Sequence, residues 1–244
     1  MTGRVPMPGS LPAPDAVPAL RLDGVGVRLG EVDALRDVSL ALDARTVAVI
    51  GENGSGKSTF ARLLAGLVAP GAGVTRILGL DPVRQAAELR RRVAVVFSNP
   101  DAQIVMPTVA EDVAFSLRPE RLGRDELRRR VDAALERFGL SALRERSSHD
   151  LSGGQKQLLA LAGAFVREPE LVVADEPTTY LDARNARRVS DHLLADTGHR
   201  LVLVTHDLAL AERCGAAVLF AGGRVEAVGR PAEVIADYEA ALAC

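Results

Sequence analysis

Hydrophobic and polar residues alternate in the first part of the chain and form unbroken apolar runs further on. Between residues 20 and 48, apolar side chains recur at every second position over short stretches. A strand of this kind buries only one face, so residues 20–48 are predicted to form antiparallel strands with one exposed face. The alternating apolar positions are Leu20, Leu22, Val25, Val27, Val38, Leu40 and Leu42.

Five other runs are apolar or β-branched throughout, which is typical of strands buried on both faces. Helical segments separate most of these runs along the chain. This order predicts an α/β fold whose core is a mainly parallel sheet with crossover helices. The predicted buried strands are residues 46–50, 93–97, 171–174, 201–204 and 217–221.

The segment 99–165 has a different pattern of apolar and polar residues and is predicted to be a helical lobe inserted into the sheet domain. Within it, residues 124–138 place apolar side chains on one face and charged ones on the other, which indicates an amphipathic helix that ends before Gly139. The arginine runs 90–92 and 128–130 are interpreted as solvated helix faces, with phosphate or lipid-headgroup contacts as the alternative.

Composition narrows the class of protein. The chain has 244 residues, 48% of them hydrophobic and 25% charged, with a net charge of −2, which is ordinary for a soluble globular protein and disfavours a general nucleic-acid binder. Cys214 and Cys244 form no C-x-x-C pair, so neither a disulfide framework nor a zinc site is indicated. No run approaches the ~18 apolar residues of a membrane helix.

Residues 51–59 fit the phosphate-binding loop pattern G-x-x-x-x-G-K-[ST] in full. The glycines let the backbone turn tightly, Lys57 reaches the β- and γ-phosphates, and the Ser58 hydroxyl is placed for a magnesium ion. A strand precedes the loop and a helix follows it, so the phosphates would meet a positive helix end. The predicted nucleotide contacts are Gly51, Glu52, Asn53, Gly54, Ser55, Gly56, Lys57, Ser58 and Thr59.

Two later strands end in residues suited to triphosphate hydrolysis. Residues 171–176 form an apolar run that ends in Asp175 and Glu176. In phosphate-loop enzymes such an aspartate holds magnesium through its hydration shell, and Glu176 would then polarise the attacking water. The strand 201–204 leads to His206, which we expect to hydrogen-bond the γ-phosphate. The predicted catalytic residues are therefore Lys57, Glu176 and His206.

A second anion site is predicted at Leu151-Ser-Gly-Gly-Gln155, just before an apolar helix. The first N–H groups of a helix are unbonded, and Gly153 and Gly154 leave them uncovered. An ordinary serine cap is the simpler alternative. A second anion site in a chain with one phosphate loop suggests that it serves the nucleotide of another copy. The residues assigned to this site are Ser152, Gly153, Gly154 and Gln155.

These motifs occur in the order seen in ATP-binding-cassette (ABC) ATPases, which the chain resembles from about residue 20 to residue 230. The resemblance implies ATP and Mg²⁺ as cofactors. It also implies a head-to-tail dimer in which each ATP lies between the phosphate loop of one copy and the signature, residues 151–155, of the other. Ser152 and Gly154 would contact the partner's γ-phosphate, and Asp182 would link the two sites.

A finer resemblance involves residues 97–115. Asn-Pro-Asp-x-Gln followed by Thr-Val-x-x-Asp-Val-Ala-Phe looks like the energy-coupling-factor branch, which imports vitamins and transition-metal ions. Gln-Ile-Val-x-Pro-Thr-Val and the short tail after His206 are most similar to biotin-importer ATPases. Residues 175–182 also occur in siderophore-importer ATPases, so import of cobalt, nickel or siderophores stays open.

The chain departs from the family pattern at two positions. Ser98 stands where the family has a glutamine that binds magnesium, so Ser98 acting through water or Gln103 swinging in would have to replace it. Leu29 stands where an aromatic residue stacks on adenine, and the loss of that ring is expected to weaken base selectivity by about 0.5–1.5 kcal/mol.

The resemblance implies an ATPase subunit of a membrane importer, peripheral on the cytoplasmic face of the membrane. The expected partners are a second copy, an integral membrane coupling subunit and a substrate-binding membrane subunit, with no nucleic acid. Acids at 101, 111 and 112 are expected to accept arginines of the membrane partner, or else to form a solvated loop. A soluble ABC ATPase of DNA repair or translation is the alternative of another class.

These motifs divide the chain into four predicted segments, which are a disordered proline-rich lead-in (1–19), the first part of the nucleotide-binding core (20–98), the helical signature subdomain (99–165) and the second part of the core (166–244).

Overall fold

The computed structural model describes residues 18–195 and 198–243. All but the last two residues of the predicted lead-in lie outside this range, as does Cys244. The described residues form two compact units, one made of the chain up to Arg90 together with the chain from Arg200 onward, the other made of Arg91–His199. None of the helices described is long and apolar enough to cross a membrane.

Strands and helices follow one another along the chain. The strands are β1 (Leu20–Leu29), β2 (Val32–Leu42), β3 (Thr46–Ile50), β4 (Ala72–Ile77), β5 (Val93–Phe97), β6 (Leu171–Asp175), β7 (Arg200–Val204), β8 (Ala216–Ala221) and β9 (Arg224–Gly229). The α-helices are α1 (Lys57–Leu64), α2 (Ala86–Arg92), α3 (Val109–Ser116), α4 (Arg124–Arg137), α5 (Gly153–Phe165), α6 (Ala183–Leu194), α7 (Leu208–Glu212) and α8 (Pro231–Leu242).

The first unit contains an antiparallel sheet of order β2-β1-β4. Leu20 lies opposite Leu42, and Leu22 opposite Leu40, across β1 and β2. These four leucines are buried, whereas the residues between them on β1 and β2 are exposed. The prediction of antiparallel strands with one exposed face is therefore confirmed, and β4 adds a third strand that the alternation did not reveal.

The same unit also contains parallel strands. β3 lies between β7 and β8 and runs parallel to both, while β9 pairs antiparallel with β8. All five residues of β3 are buried, as predicted for this run. Because β3, β7 and β8 are parallel, their carboxyl ends meet at one edge of the sheet, where the loops that follow them begin.

Aromatic packing fixes α1 against this sheet. Phe60 on α1 and Phe220 on β8 are both fully buried, and their ring centroids are 5.0 Å apart in a tilted arrangement. Aromatic pairs at this separation stabilise a core beyond their buried area. The first turn of α1 is thereby held against β8, the strand next to β3.

The second unit combines two parallel strands with helices. β5 pairs with β6, with Val93 opposite Leu171 and Phe97 opposite Asp175. Helices α3, α4 and α6 all contact α5. The amphipathic helix predicted at 124–138 is α4, which ends at Arg137, and Gly139 follows in a left-handed conformation at φ 68°.

Acids of the same unit pair with four of the arginines in the two runs, and Arg128 does so with Asp132 at 3.8 Å. Arg92 makes two bonds to Glu170, at 2.6 and 2.7 Å. Arg129 pairs with Glu126, and Arg130 pairs with Glu120. Most of these side chains are partly or largely exposed, so the pairs add little stability. The arrangement agrees with the interpretation of the runs as solvated helix faces.

Candidate nucleotide-binding site

The phosphate loop follows β3 and leads directly into α1. Two of its glycines are required by their surroundings. Gly51 has φ 140°, and a Cβ there would collide with the carbonyl oxygen of Phe220 on β8. Gly56, at φ 108°, is the residue before α1, and a Cβ there would lie 2.9 Å from the Ala34 carbonyl oxygen. Any side chain at either position would displace the loop.

Lys57 is held inside this loop. Its side chain is only 5% exposed, and Nζ donates to the carbonyl oxygens of Gly51 and Glu52, each at 2.7 Å. The ammonium is therefore already fixed within the loop, where phosphate oxygens can exchange for these carbonyl acceptors. Ser58, the next residue, is exposed on the first turn of α1, and the helix adds the positive end of its dipole.

His206 belongs to the same unit and follows β7. The backbone N–H of Thr205 donates to the carbonyl of Val49 on β3 at 3.2 Å, which ties the end of β7 to the strand that precedes the phosphate loop. The Thr205 hydroxyl accepts from the N–H of Asp207 at 3.0 Å, and Asp207 caps α7. His206 is exposed between these two fixed residues. The structure thus brings Lys57 and His206 to one sheet edge.

Asp175 and Glu176 lie in the second unit, at the end of β6. Asp175 is the last residue of the strand and is 9% exposed. Glu176 adopts a left-handed conformation at φ 53°, and its Oε2 accepts from the Thr179 hydroxyl at 3.3 Å. A non-glycine residue in this region is strained, and such strain is concentrated at functional sites.

Gln103, predicted as a substitute metal ligand, is bound to the backbone of β5. Its Oε1 accepts from the Phe97 N–H at 2.8 Å, and its Nε2 donates to the Val95 carbonyl at 2.9 Å. A swing towards a metal would break both bonds. Ser98, which follows Phe97, is half-buried. Its role and that of Gln103 in metal binding remain predictions.

The signature residues form the start of α5. The Ser152 hydroxyl accepts from the Gln155 N–H at 3.4 Å, and the Gln155 side chain accepts from the Ser152 N–H at 2.9 Å. This reciprocal capping box fixes the first turn of a 13-residue helix. The N–H groups of the first turn have no acceptor within the helix, so this end is suited to an anion, and Ser152 and Gly153 are exposed.

Asn185 on α6, which the sequence did not single out, contacts two of the predicted site residues. Asp182 caps α6 by accepting from the Asn185 N–H at 2.8 Å, and its other oxygen accepts from Asn185 Nδ2 at 2.7 Å. These bonds lower the pKa of the Asp182 carboxyl, the backbone bond having the larger effect. A Cβ at Gly154 would overlap the Asn185 amide. The amide therefore lies against the signature helix, and only the spacing Asp-x-x-Asn after a strand hinted at it.

The acids proposed to meet a membrane partner do not share one role. Asp112 is 7% exposed, and its Oδ1 accepts from the N–H groups of Val105 and Met106 at 2.8 and 3.0 Å. The expectation that Asp112 accepts an arginine from a partner is therefore wrong, because this carboxyl holds the preceding loop. Asp101 bonds Lys156 at 2.7 Å, and Glu111 accepts from the Thr108 hydroxyl at 2.7 Å, but both stay exposed.

The two predicted metal ligands, one in each unit, have the chemistry that magnesium prefers. Ser58 offers a hydroxyl and Asp175 a carboxylate, and Mg²⁺ prefers oxygen ligands, usually binding one or two protein groups together with substrate phosphates. In the part of the chain that the structure describes, no group of three or more His, Cys, Asp or Glu residues is placed to hold a metal.

A complete phosphate loop at the edge of a parallel sheet, with an acid pair ending a second strand, defines a phosphate-loop nucleoside triphosphatase. The family model described as "ABC transporter" matches residues 35–179. The chain belongs to this family and is an ATP-binding ATPase of it.

Two curated relatives align over most of the chain. It is 43% identical to the "Energy-coupling factor transporter ATP-binding protein EcfA1" of Symbiobacterium thermophilum, covering 91% of this chain and 83% of the relative. It is 36% identical to the "Biotin transport ATP-binding protein BioM" of Rhizobium etli, covering 90% of this chain and 97% of the relative.

Solved structures share the fold. The structure of cbiO1 from Clostridium perfringens, described as part of the ABC transporter complex cbiONQ, matches with a TM-score of 0.82 and 31% identity over 92% of this chain and 93% of that chain. A dimeric structure of the ATP-binding cassette MJ0796, bound to ADP and Pi, matches with a TM-score of 0.77 and 26% identity over 87% and 98% of the two chains. The predicted ABC cassette fold is confirmed.

Proposed function

We propose that this chain is the ATPase subunit of an energy-coupling-factor importer, in which ATP closes two copies head to tail and the closure drives a transmembrane partner. The family of the chain and its ATPase activity are the basis of this proposal. Similarity to an energy-coupling-factor ATPase and to a member of a cbiONQ complex supports this class of transporter. Similarity to a biotin transport ATPase supports biotin as the solute.

One observation carries the proposal, which is that the chain has two helix ends prepared for an anion. One is the phosphate loop with α1, and the other is the capped start of α5 with its small residues Gly153 and Gly154. If each nucleotide bound only to the phosphate loop of one chain, the start of α5 would have no anion to bind. In a head-to-tail dimer the start of α5 meets the γ-phosphate on the partner's phosphate loop.

Individual residues receive roles in this scheme. Lys57 and the loop N–H groups bind the triphosphate, and His206 contacts the γ-phosphate from the edge of the same sheet. Glu176 accepts a proton from the attacking water, and its strained backbone together with the Thr179 bond orients the carboxylate. Ser58 and Asp175 hold Mg²⁺, which when bound neutralises developing charge on the phosphates.

Contact with a membrane partner is assigned to the predicted helical segment 99–165. Its surface offers exposed apolar and acidic groups close together in sequence. Val105 is 61% exposed and Phe115 is 39% exposed, while Asp101 and Glu111 remain accessible. In this proposal Asp101 and Glu111 bind arginines of the transmembrane coupling subunit, and the chain works on the cytoplasmic face of the membrane.

Uptake and co-purification test this function together. Cells with and without the chain are compared for uptake of labelled biotin, cobalt and nickel. The matched control is the Glu176→Gln variant, which is expected to fold and to hydrolyse ATP slowly. Biotin uptake that needs the wild-type chain and is lost with Glu176→Gln supports the proposal. Unchanged uptake of all three solutes, with no integral membrane protein co-purifying from detergent extracts, contradicts it and favours a non-transport ATPase.

A further inference from the structure

Tyr180 is displayed on the surface by a hydrogen-bonded loop between β6 and α6. Its side chain is 92% exposed, the largest value among the exposed large hydrophobic residues of the described chain. Its backbone is left-handed at φ 66°. The loop is held on both sides, because the Thr179 N–H donates to Glu176 O and the Leu181 N–H donates to Thr178 O, each at 3.2 Å, and Asp182 then caps α6.

This display is unfavourable for an isolated chain. A left-handed backbone conformation is strained for a non-glycine residue, and an aromatic ring in water forgoes its burial. Nothing in the catalytic roles assigned above uses the ring. An exposed aromatic residue with a polar tip is characteristic of an interface anchor.

The first unit contains a cavity of about 690 Å³ beside the phosphate loop. Residues 52–55 form one wall, the end of β8 with part of β9 a second, and the end of α8 a third. The Gly223 N–H donates to the Ser55 carbonyl at 2.9 Å and joins the first two walls. Leu219, Tyr238 and Leu242 give the cavity an apolar side, and Leu242 is 54% exposed.

The polar side of the cavity suits a hydroxyl donor. Glu52, Glu226 and Asp237 line it, and no lysine or arginine does so among the described residues. A phenol has an apolar ring and an O–H that donates to a carboxylate. The chemistry of Tyr180 and that of the cavity are therefore complementary.

We propose that Tyr180 of one copy inserts into this cavity of a second copy, so that each protomer of the ATP-bound dimer anchors its partner beside the phosphate loop. The inference rests on the proposed head-to-tail dimer. Tyr180 is joined to the signature, since Asp182 binds Asn185 and the Asn185 amide lies against Gly154. The cavity is joined to the phosphate loop through residues 52–55. The interface that clamps ATP thus continues onto both, and in a two-fold dimer the contact forms twice.

Cross-linking tests the contact directly. Tyr180→Cys and Leu242→Cys are combined in a Glu176→Gln, Cys244→Ser background, and a short bismaleimide is added with and without ATP. Cys214 does not interfere, because it is buried and burial raises its thiol pKa to about 11. We expect an ATP-dependent covalent dimer. The matched control replaces Leu242→Cys by Val83→Cys, which is similarly exposed at 56%, and should give none beyond Tyr180→Cys alone.

Dimer affinity provides the second measurement. By sedimentation with ATP, Tyr180→Ala in the Glu176→Gln background should weaken dimerisation by roughly tenfold or more, as expected of an aromatic anchor. The dimer affinity of Tyr180→Phe should lie between the affinities measured with Tyr180 and with Tyr180→Ala. Val83→Ala should not change the dimer affinity. ATP binding by the dilute monomer should be the same in all of them.

Distinct results separate the possible failures. ATP-driven dimers that form equally well with Tyr180→Ala, and without the 180–242 cross-link, overturn the inference and leave the proposed function standing. Weaker ATP binding by a dilute Leu242→Ala monomer also overturns it, because the cavity would then belong to the nucleotide. A Glu176→Gln protein that stays monomeric with ATP overturns both proposals.

Discussion

Asp112 fixes the loop before α3 with a single buried oxygen. Its Oδ1 accepts two backbone N–H groups, from Val105 and Met106. Burial raises the pKa of the Asp112 carboxyl, and the two bonds oppose that rise without cancelling it. The sequence presented Asp112 as one of several surface acids, and only the structure distinguishes a group that holds the fold from one that faces solvent.

Replacing Asp112 tests this structural role. Asp112→Ala leaves two partly buried N–H groups without their charged acceptor and should lower the free energy of unfolding by about 1–3 kcal/mol. Asp112→Asn keeps an oxygen acceptor and should lose much less. Urea unfolding measures both, with Glu111→Gln as a matched exposed control. Equal losses for the alanine and asparagine variants would show that the acceptor is not what matters.

The Asp112 carboxyl also predicts a pH dependence. A pKa higher in the folded state than in the unfolded state means that the folded state binds the proton more tightly. The contribution of Asp112 is therefore most favourable below its ordinary value of 3.8 and falls as pH rises through the raised pKa. The stability of the wild type relative to Asp112→Asn should decline over this window and then stay constant, as unfolding curves at several pH values would show.

Cys214 is predicted to be unreactive in the folded protein. The thiolate is the reactive form, and burial raises the pKa of this thiol to about 11. In a Cys244→Ser variant Cys214 is the only thiol left. A disulfide reagent at about pH 8 should label it only after denaturant is added. Rapid labelling of the native protein would mean that the site opens easily.

At the scale of elements, α5 and α6 are coupled through one close contact. The Asn185 amide of α6 lies where a side chain at position 154 would be, and Asp182 holds that amide in place. The start of the signature helix and the capped end of the loop from β6 therefore cannot move independently. Gly154, which the sequence predicts as a nucleotide contact, therefore also determines how closely α6 packs against the start of α5.

A double-variant cycle measures this coupling. Gly154→Ala forces the Asn185 amide away and breaks its bond to Asp182, which should destabilise the protein by about 0.5–1.5 kcal/mol. Asn185→Ala makes room, so the loss in the double variant should be smaller than the sum of the two single losses. Thermal unfolding gives the four values, with Gly153→Ala as a control because a Cβ at Gly153 meets nothing within 4 Å. Additive losses would contradict the coupling.

The sequence predicted buried elements better than exposed ones. β5 matches its predicted range, and β6, β7 and β8 differ from theirs by one residue, because continuous burial leaves a continuous apolar run. β4 and β9 escaped prediction since most of their residues are exposed or only half-buried, so pairing with a neighbour, rather than a pattern of their own, makes them strands.

The candidate site shows the same division. The phosphate loop and the residues that end β6 and β7 were predictable, because triphosphate chemistry requires particular residue types at fixed spacing. The bonds of Gln103 to β5, the burial of Asp112 and the position of Asn185 were not, because each depends on residues that meet only after folding. A motif states which groups are present but not which of them are already engaged.

For the whole molecule, two variants should separate ATP binding from turnover. Glu176→Gln is expected to bind ATP, to lose turnover by roughly 10²–10⁴-fold, as for a general base, and to accumulate as a dimer. Lys57→Ala should lose ATP affinity because the loop lacks its cation, and adding it to Glu176→Gln should abolish the dimer. Phosphate release, nucleotide binding and sedimentation provide the readouts, and near-normal turnover by Glu176→Gln would refute its role as the base.

The exposure of Tyr180 has a practical consequence. The chain contains no tryptophan and two tyrosines, so its intrinsic near-ultraviolet emission is weak. A Tyr180→Trp substitution would place one indole fluorophore at the most exposed aromatic position, where its emission reports directly on solvent. Engagement of that position by another surface would shift the emission to shorter wavelength, giving a stopped-flow signal for the kinetics of assembly without any attached dye.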